Sequence, residues 1–250
     1  DVLVRRKVRK RFGGRLKALI SGGAPLNYQI GLFFTALGLR LLQGYGQTEA
    51  APVISCNPAA DNRIATVGPA LKGVTVKIAD DGEILVKGEL VMQGYWDDPH
   101  ATAETIRNGW LHTGDIGEMD EDGYIRITDR KKDIIVNSGG DNVSPQRIEG
   151  FLTLKDEVAQ AMVYGDRRPH LVALIVPEEN LAASPEARMA VAAAVARVNA
   201  ELSPVERVRH FILAEEPFTV ENGLMTPTMK IRRHKIREIY GAALEGLYKK

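Results

Sequence analysis

Residues 39–49 read Leu-Arg-Leu-Leu-Gln-Gly-Tyr-Gly-Gln-Thr-Glu, a short apolar run that breaks at Gly44-Tyr45-Gly46. An apolar run of this length beside turn residues is typical of a buried strand. A second such run, residues 16–20, ends at Ser21-Gly22-Gly23-Ala24-Pro25, and a helix is predicted after it over about residues 26–37. A strand, a helix and a strand, with a glycine-bearing turn after each strand, predict an α/β arrangement in which both loops face one crevice.

The middle of the chain, residues 66–128, consists of short runs in which apolar and polar residues alternate. Residues 74–78, 83–87 and 124–128 are examples, and the Asp-Gly pair at 81–82 is the kind of turn that separates such runs. Alternation with a period of two indicates half-buried strands, and Asp-Gly favours tight hairpins. The sequence therefore predicts a small antiparallel β-barrel over about residues 61–130.

The last part of the chain is predicted as a separate α+β domain. Its expected elements are a strand at 134–136, a helix at 145–154, strands at 158–164 and 171–176, and an alanine-rich helix at 185–202. Five charged residues in a row, Asp129 to Asp133, lie between two apolar strands and are predicted to form the linker. We therefore expect two domains, residues 1–130, with an α/β portion up to about residue 60, and residues 131–250.

The composition favours a cytoplasmic protein. No apolar run approaches the roughly 20 residues that are needed to cross a bilayer. Cys56 is the only cysteine, so the chain cannot form an internal disulfide, and this fits a reducing compartment.

The net charge of +1 conceals a basic start. The basic residues of this segment are Arg5, Arg6, Lys7, Arg9, Lys10, Arg11, Arg15 and Lys17. Apolar residues such as Val8 and Phe12 lie between them and predict an amphipathic helix that contacts an anionic lipid surface or nucleic acid. The alternative is an ordinary solvated helix face.

Three motifs further along the chain carry a family resemblance. They are Gly109-Trp110-Leu111-His112-Thr113-Gly114-Asp115, Asp129-Arg130-Lys131-Lys132-Asp133 and Thr226-Pro227-Thr228-Met229-Lys230. Together with residues 44–49, they resemble the adenylate-forming ligases, most closely the C-terminal part of the AMP-forming long-chain fatty acyl-CoA synthetases. The fold that this implies is the end of an α/β N-terminal domain with a small β-barrel, followed by a mobile α+β lid domain.

The resemblance implies an acid–thiol ligase of fatty acid metabolism. A carboxylate and ATP would give acyl-AMP and pyrophosphate, and the CoA thiol would then give acyl-CoA and AMP. The implied substrates and cofactors are a fatty acid, ATP, coenzyme A and Mg2+. No nucleic acid partner is expected, while peripheral membrane contact through the basic segment is retained as a hypothesis.

The resemblance places the nucleotide contacts in the first domain. Tyr45 would stack on the purine, Thr48 would donate to a phosphate oxygen, and Glu49 would hold Mg2+ against the phosphates. Asp115, which is predicted to lie in a tight turn, and Arg130 would bind the ribose. The implied nucleotide-binding residues are Gly22, Gly23, Ala24, Gly44, Tyr45, Gly46, Gln47, Thr48, Asp115, Ile127 and Arg130.

The remaining implied site residues lie at or beyond the predicted linker. Lys230 is implied to be catalytic, with Thr48 and Glu49, by stabilising charge on the acyl carboxylate and the α-phosphate. Lys132 matches the hinge on which the lid turns. Ser138-Gly139-Gly140 would let the pantetheine arm of CoA pass close to the backbone. A solvated lysine and an ordinary Gly-Gly turn are the structural alternatives.

One family feature is missing from the sequence. Family members carry a Ser/Thr/Gly-rich loop that ends in lysine and holds the triphosphate, upstream of the segment that matches residues 21–25. No such run occurs here, and the chain starts with Asp1 rather than Met. We therefore expect a piece of a longer protein that adenylates inefficiently by itself. The alternatives are a ligase that loads a carrier protein and a non-catalytic nucleotide-binding or interaction module.

Overall fold

The computed structural model describes residues 2–182 and 184–249. It divides the chain into two compact units, residues 1–132 and residues 133–250. The roles predicted for these units, the end of a large domain and a mobile lid, stay predictions.

The first unit contains three helices and eight strands among its described residues. The helices are α1 (Val2–Arg11), α2 (Tyr28–Ala36) and α3 (Pro99–Thr105). The strands are β1 (Leu19–Ser21), β2 (Leu41–Tyr45), β3 (Ser55–Cys56), β4 (Thr75–Ile78), β5 (Glu83–Lys87), β6 (Ile106–Arg107), β7 (Trp110–Met119) and β8 (Ile125–Arg130).

The predicted strand–helix–strand segment is present at the start of this unit. Strands β1 and β2 pair in parallel, with Ser21 opposite Gln43, and α2 connects them. Asn27 caps α2, because its side-chain oxygen accepts from the Gln29 N–H at 2.8 Å. The glycine turns that follow β1 and β2 consequently lie side by side.

The predicted β-barrel is wrong, because the antiparallel strands form an open sheet. Strands β4, β5 and β7 lie in that order, and β6 and β8 share the far edge of β7. A barrel would require β4 and β8 to pair. The outer edge of β8 is occupied instead: Val67 donates to the Ile125 carbonyl at 2.8 Å, and Ile125 donates to Gly68 at 3.1 Å.

The predicted linker at 129–133 is also wrong at its start. Asp129 and Arg130 are the last two residues of β8, and Asp129 is only 6% exposed. Pairing with β7, in which Arg130 lies opposite Asp115, makes these charged residues part of the sheet.

The second unit is an α+β fold built on one three-stranded sheet. The strands of that sheet are β11 (Val158–Tyr164), β12 (Leu171–Pro177) and β13 (Val208–Leu213), while β9 (Ile135–Val136) and β10 (Asn142–Val143) pair separately with each other. Its helices are α4 (Pro145–Leu152), α5 (Glu179–Ala182), α6 (Ala187–Glu201) and α7 (Arg233–Gly246).

Strand β12 lies at the centre of this sheet and is buried on both faces. Alternate residues of a strand point to opposite faces. Leu171, Ala173 and Ile175 accordingly join the apolar cluster that includes α4 and α6. Val172 and Leu174 join the cluster on the other face, which includes Ile236 of α7. A continuous apolar run is what burial on both faces requires.

Within residues 2–182 and 184–249, no helix combines the length and apolar character needed to span a bilayer.

Candidate functional site

The centre of the candidate site is the carboxylate of Asp115 on β7, which is 5% exposed. The Tyr45 hydroxyl, at the end of β2, donates to its Oδ2 at 2.7 Å. Arg130 Nε, at the end of β8, donates to its Oδ1 at 3.0 Å. The end of β2, the middle of β7 and the end of β8 thus bring together residues that lie up to 70 positions apart in the sequence.

These contacts fix the direction of the three side chains. Burial, and then the negative charge of Asp115, raise the pKa of the Tyr45 hydroxyl far above its ordinary value. Tyr45 therefore remains a donor at neutral pH. Each Asp115 oxygen keeps capacity for a further hydrogen bond, because a carboxylate accepts about four. The Arg130 side chain is 49% exposed, so its guanidinium is accessible to a ligand.

The tight turn predicted around Asp115 is wrong. Asp115 lies inside β7, which pairs with β5 on one side and β8 on the other. Pairing on both sides keeps the strand extended. Directly before Asp115 the backbone is irregular at Gly114, whose φ of +71° glycine adopts readily.

The Tyr45 ring, which was predicted to stack on the purine, is buried. The ring belongs to the apolar cluster of the first unit together with Ile54 and Val86, and the residue is 7% exposed. Its polar contact is with Asp115. Purine stacking on this ring stays a prediction.

Thr48 and Glu49 follow β2 in a short 3-10 turn, Thr48–Ala50. The Tyr95 hydroxyl donates to Glu49 Oε1 at 2.8 Å, and burial, then Glu49, raise the pKa of Tyr95. No group of three or more His, Cys, Asp or Glu side chains with metal-binding geometry occurs in the part of the chain that the structure describes. Mg2+ commonly uses one or two protein carboxylates together with substrate phosphates, so the Glu49 carboxylate fits that use.

The predicted glycines allow close approaches of backbone. A Cβ on Gly46 would lie 1.7 Å from the Pro52 carbonyl oxygen, so no other residue fits there. A Cβ on Gly22 would lie 3.4 Å from the Gly44 carbonyl oxygen, which places the loop after β1 against the last residues of β2. Gly23 has φ +79°. Ala24 is exposed in the same loop, and Gln47 precedes the 3-10 turn.

Ile127, on β8, is partly buried against the apolar cluster of the first unit. It lies opposite Gly117 of β7. The structure therefore gives Ile127 a packing role, and its contact with a nucleotide stays a prediction.

The site residues predicted beyond the sheet lie on exposed segments. Lys132 is exposed and is the last residue of the first unit. Ser138, Gly139 and Gly140 form the exposed turn between β9 and β10. The Asn137 side-chain oxygen accepts from the Gly139 N–H at 2.9 Å and braces that turn.

Lys230 lies in a tight turn that precedes α7. The Thr226 N–H donates to the Lys230 carbonyl at 2.8 Å, and the Lys230 N–H donates to the Thr226 hydroxyl at 3.1 Å. Met229 adopts φ +61°, a conformation that costs a residue with a Cβ roughly 1–2 kcal/mol. The Lys230 side chain is exposed to solvent.

Three residues that contact the site of the first unit were not predicted from the sequence to do so. Tyr95 contacts Glu49, and Glu83 and His112 form a buried polar pair behind Gly114. The alternation of 83–87 had indicated a strand, but no pattern in the sequence indicated what the Glu83 carboxylate contacts.

Known proteins similar to this chain share both its sequence and its fold. Residues 2–96 match the family described as AMP-binding enzyme, and residues 132–250 match the AMP-binding enzyme C-terminal domain. The long-chain-fatty-acid–CoA ligase FadD15 of Mycobacterium bovis is 39% identical over 269 residues, covering 100% of this chain and 45% of that protein. Human long-chain-fatty-acid–CoA ligase 1 is 32% identical, covering 99% of this chain and 40% of that protein.

Solved adenylation domains show the same likeness. The adenylation domain of a carboxylate reductase from Mycobacterium chelonae has a TM-score of 0.84 at 29% identity, covering 100% of this chain and 42% of that one. The Segniliparus rugosus carboxylic acid reductase A domain, solved with AMP and a co-purified carboxylic acid, has a TM-score of 0.83 at 27% identity and covers 98% and 41%. This chain spans less than half the length of these relatives, and it belongs to the AMP-binding enzyme family.

Proposed function

We propose that this chain is part of an AMP-forming acid–thiol ligase that converts a long-chain fatty acid into its CoA thioester. The observation that carries the proposal is the buried Asp115 carboxylate, held by Tyr45 and Arg130 in a chain whose relatives are named long-chain-fatty-acid–CoA ligases. Because the chain covers 45% of the first of these relatives, the activity of the whole protein is part of the proposal.

The proposed role of Asp115 is to accept hydrogen bonds from the ribose hydroxyls of ATP and AMP. A carboxylate that is already oriented by two donors loses little freedom when a ligand arrives, and such preorganisation favours binding. Arg130 would add a charge-assisted donor at the same position.

The proposed Mg2+ ligand is Glu49, with Tyr95 holding the carboxylate in place. When bound, Mg2+ would neutralise charge on the phosphates. Thr48, exposed on the same turn, would donate to a phosphate oxygen.

Lys230 is the proposed cation of the adenylation step. It would stabilise negative charge that develops at the α-phosphate. Ser138, Gly139 and Gly140 are the proposed passage for the pantetheine arm of CoA, and Lys132 the proposed hinge. These three assignments rest on the family motifs.

Thioester formation balances without a covalent enzyme intermediate. The thiol sulfur of CoA attacks the acyl carbon of acyl-AMP, the bond from that carbon to the phosphate oxygen breaks, and AMP leaves while the thiol proton is released. Acyl-AMP is thus consumed one for one with CoA.

A second candidate is a ligase that transfers the acyl group to a carrier protein. The A-PCP didomain of the Segniliparus rugosus carboxylic acid reductase, solved with AMP, resembles this chain at a TM-score of 0.82 and 28% identity, covering 98% of it and 36% of that chain. This candidate shares the adenylation step and differs in the thiol that is acylated.

The experiment supplies a preformed long-chain acyl-AMP, so that the triphosphate is not needed. We expect the chain to release AMP and form acyl-CoA when CoA is present, as measured by mass spectrometry, and we expect Asp115→Ala to lose this activity. Transfer to the pantetheine of a carrier protein, with CoA untouched, would favour the second candidate. Failure with both acceptors would contradict the ligase proposal.

We also propose that the protein is cytoplasmic and contacts membranes peripherally through α1. The last turn of α1 contains Arg9, Lys10 and Arg11, while Val4 and Phe12 expose 54% and 44% of their surface. Liposome flotation at low salt tests this membrane contact, and absence of binding to anionic vesicles would contradict the proposal.

A further inference from the structure

Glu83, the first residue of β5, has a buried carboxylate that the proposed mechanism does not use. Its side chain is 7% exposed. Its Oε2 accepts from Lys131 Nζ at 3.0 Å and lies 3.0 Å from His112 Nδ1. Its Oε1 accepts from the Gly114 backbone N–H at 2.9 Å. The same Lys131 ammonium donates to Asp81 at 2.6 Å.

The surroundings of Glu83 favour its charged form. A buried carboxylate without partners is strongly unfavourable. Burial acts to raise the pKa of Glu83, but the bonds from His112, Lys131 and the Gly114 amide outweigh burial and hold it below its ordinary value. The bonds from Asp81 and Glu83 raise the pKa of Lys131. Glu83 is therefore an ionised carboxylate at neutral pH, with both oxygens engaged.

The Glu83 network holds Gly114 from both sides. The Gly114 N–H is bound by Glu83, and the Gly114 carbonyl accepts from the Lys131 N–H at 2.8 Å. Gly114 has φ +71°, and because glycine has no Cβ, its own structure does not restrict the backbone to this conformation. The pair of bonds on Gly114 therefore restrains the backbone that leads into Asp115, whose carboxylate is held in turn by Tyr45 and Arg130.

The network also extends to the end of the first unit. Lys131 directly precedes Lys132, the last residue of that unit and the predicted hinge. With its backbone N–H bound to Gly114 and its ammonium bound to Asp81 and Glu83, Lys131 is held in three places.

We propose that Glu83 is a positioning residue for the nucleotide site. It holds Gly114 so that Asp115 faces the ribose, and it holds Lys131 so that the chain is fixed up to the residue before Lys132. This inference rests on the ribose role of Asp115 in the proposed function.

The decisive experiment compares Glu83→Gln with the parent chain in the binding of AMP and of 2′,3′-dideoxy-AMP, by calorimetry. If Glu83 directs Asp115 to the ribose hydroxyls, we expect the variant to lose about tenfold in AMP affinity and to keep its affinity for the dideoxy nucleotide, since one charge-assisted hydrogen bond is worth about that factor. Equal losses for both nucleotides would indicate general damage and overturn the proposal.

Glu118→Gln is the matched control. Glu118 lies on β7 in the same sheet and forms an exposed ion pair with Arg126. The same change of charge at this position is expected to leave both affinities and the ratio between them unchanged.

A second measurement needs no nucleotide. We expect Glu83→Gln to speed amide hydrogen exchange at Gly114 and Lys131 at least tenfold relative to Glu118→Gln, because the Gly114 N–H loses its charged acceptor and the Lys131 N–H is bound to the carbonyl of the same, now less restrained, Gly114. Unchanged exchange overturns the proposal whatever the nucleotide results. If the parent chain shows no preference for AMP over the dideoxy nucleotide, the ribose role of Asp115 fails, and the exchange result still decides whether Glu83 holds this segment.

Discussion

The two units hold their predicted site residues in different ways. In the first unit, Tyr45 and Asp115, 70 residues apart, meet through side chains at the end of β2 and within β7. In the second, Lys230 lies on an exposed turn that is closed by hydrogen bonds with Thr226, four positions away, and the Gly139 N–H of another exposed turn is bound by the side chain of Asn137. A site built from distant strands depends on the whole sheet, whereas a turn depends on its own backbone. Substitutions at the site of the first unit should therefore change nucleotide binding, whereas substitutions in the turns of the second unit should change the local backbone conformation.

The largest effect is expected away from those turns, in the core of the second unit. Glu149 is buried on α4 and is paired with Arg233 of α7, with the Arg233 Nη1 donating to Oε1 at 2.8 Å. Burial raises the pKa of Glu149 while the Arg233 charge opposes that shift. Arg233→Met leaves a buried carboxylate unpaired and should cost roughly 3–5 kcal/mol.

The exposed pair of Glu157 and Arg197 supplies the control for this change. Arg197 is 50% exposed in its side chain, so Arg197→Met should cost less than about 1 kcal/mol. Hydrogen exchange at the β12 amides, which open when the second unit unfolds, measures both variants. Similar losses of stability in the two variants would show that the buried pair contributes no more to the stability of this unit than the exposed pair does.

An intermediate effect is expected at Tyr45, where the change acts on binding. Tyr45→Phe keeps the buried ring and removes the donor to Asp115. We expect AMP affinity to fall about fivefold to tenfold, because one oriented hydrogen bond is lost. Calorimetry gives the affinity, and Tyr124→Phe, which removes a hydroxyl that contacts Asp61, is the matched control. Equal affinity in Tyr45→Phe and the parent would contradict the role of Tyr45 in orienting Asp115.

A smaller effect is expected in the turn that carries Lys230. Met229 has φ +61°, so Met229→Gly should stabilise the turn by up to about 1 kcal/mol. Met189 lies in helix α6 and is 68% exposed, so Met189→Gly should instead destabilise by about 1 kcal/mol. Opposite signs in thermal unfolding would confirm that the backbone decides the result, and a loss in both variants would argue against the left-handed conformation of Met229.

The smallest effect is expected in the acid dependence of stability. The bond from Lys131 lowers the pKa of Asp81. The pKa of Glu83 is also lowered, since the bonds from His112, Lys131 and Gly114 outweigh burial. A carboxylate whose pKa is lower in the folded state adds stability above its unfolded pKa of about 4, and that stability is lost as the pH falls through the folded pKa.

Lys131→Met removes part of this contribution. The variant should consequently lose less stability than the parent between about pH 5 and pH 2, as measured by denaturant unfolding across that range. Parallel pH profiles for the two chains would show that Lys131 does not influence these carboxylates.

The helices and strands that could be predicted from the sequence are those whose buried side chains are apolar. Residues 83–87 and 158–164 were predicted to the residue, because alternation and apolar content indicate strands directly. Strand β7 was missed, although its burial also alternates over residues 111–117. Of its four buried positions only Leu111 is an apolar side chain, and the others are Thr113, Asp115 and Gly117, so the inward face carries little apolar signal.

At the candidate site, too, the sequence did not reveal the features that depend on which strands pair. The motifs named Tyr45, Asp115 and Arg130, but the hydrogen bonds among them depend on which strands pair and in what register. The open sheet was mistaken for a barrel because alternation does not reveal that residues 67–68 occupy the outer edge of β8. Glu83 was taken only as a strand residue, since burial of a carboxylate is visible only when its partners are in place.

The most direct test of the nucleotide site is a calorimetric titration of the chain with AMP, run in parallel on Asp115→Ala and on Asp80→Ala, an exposed aspartate of the same unit. We predict that the parent and Asp80→Ala bind AMP alike and that Asp115→Ala loses between about tenfold and a hundredfold in affinity, because its charge-assisted bonds to the ribose are removed. Equal binding by all three chains, or binding by none, would contradict a nucleotide site centred on Asp115.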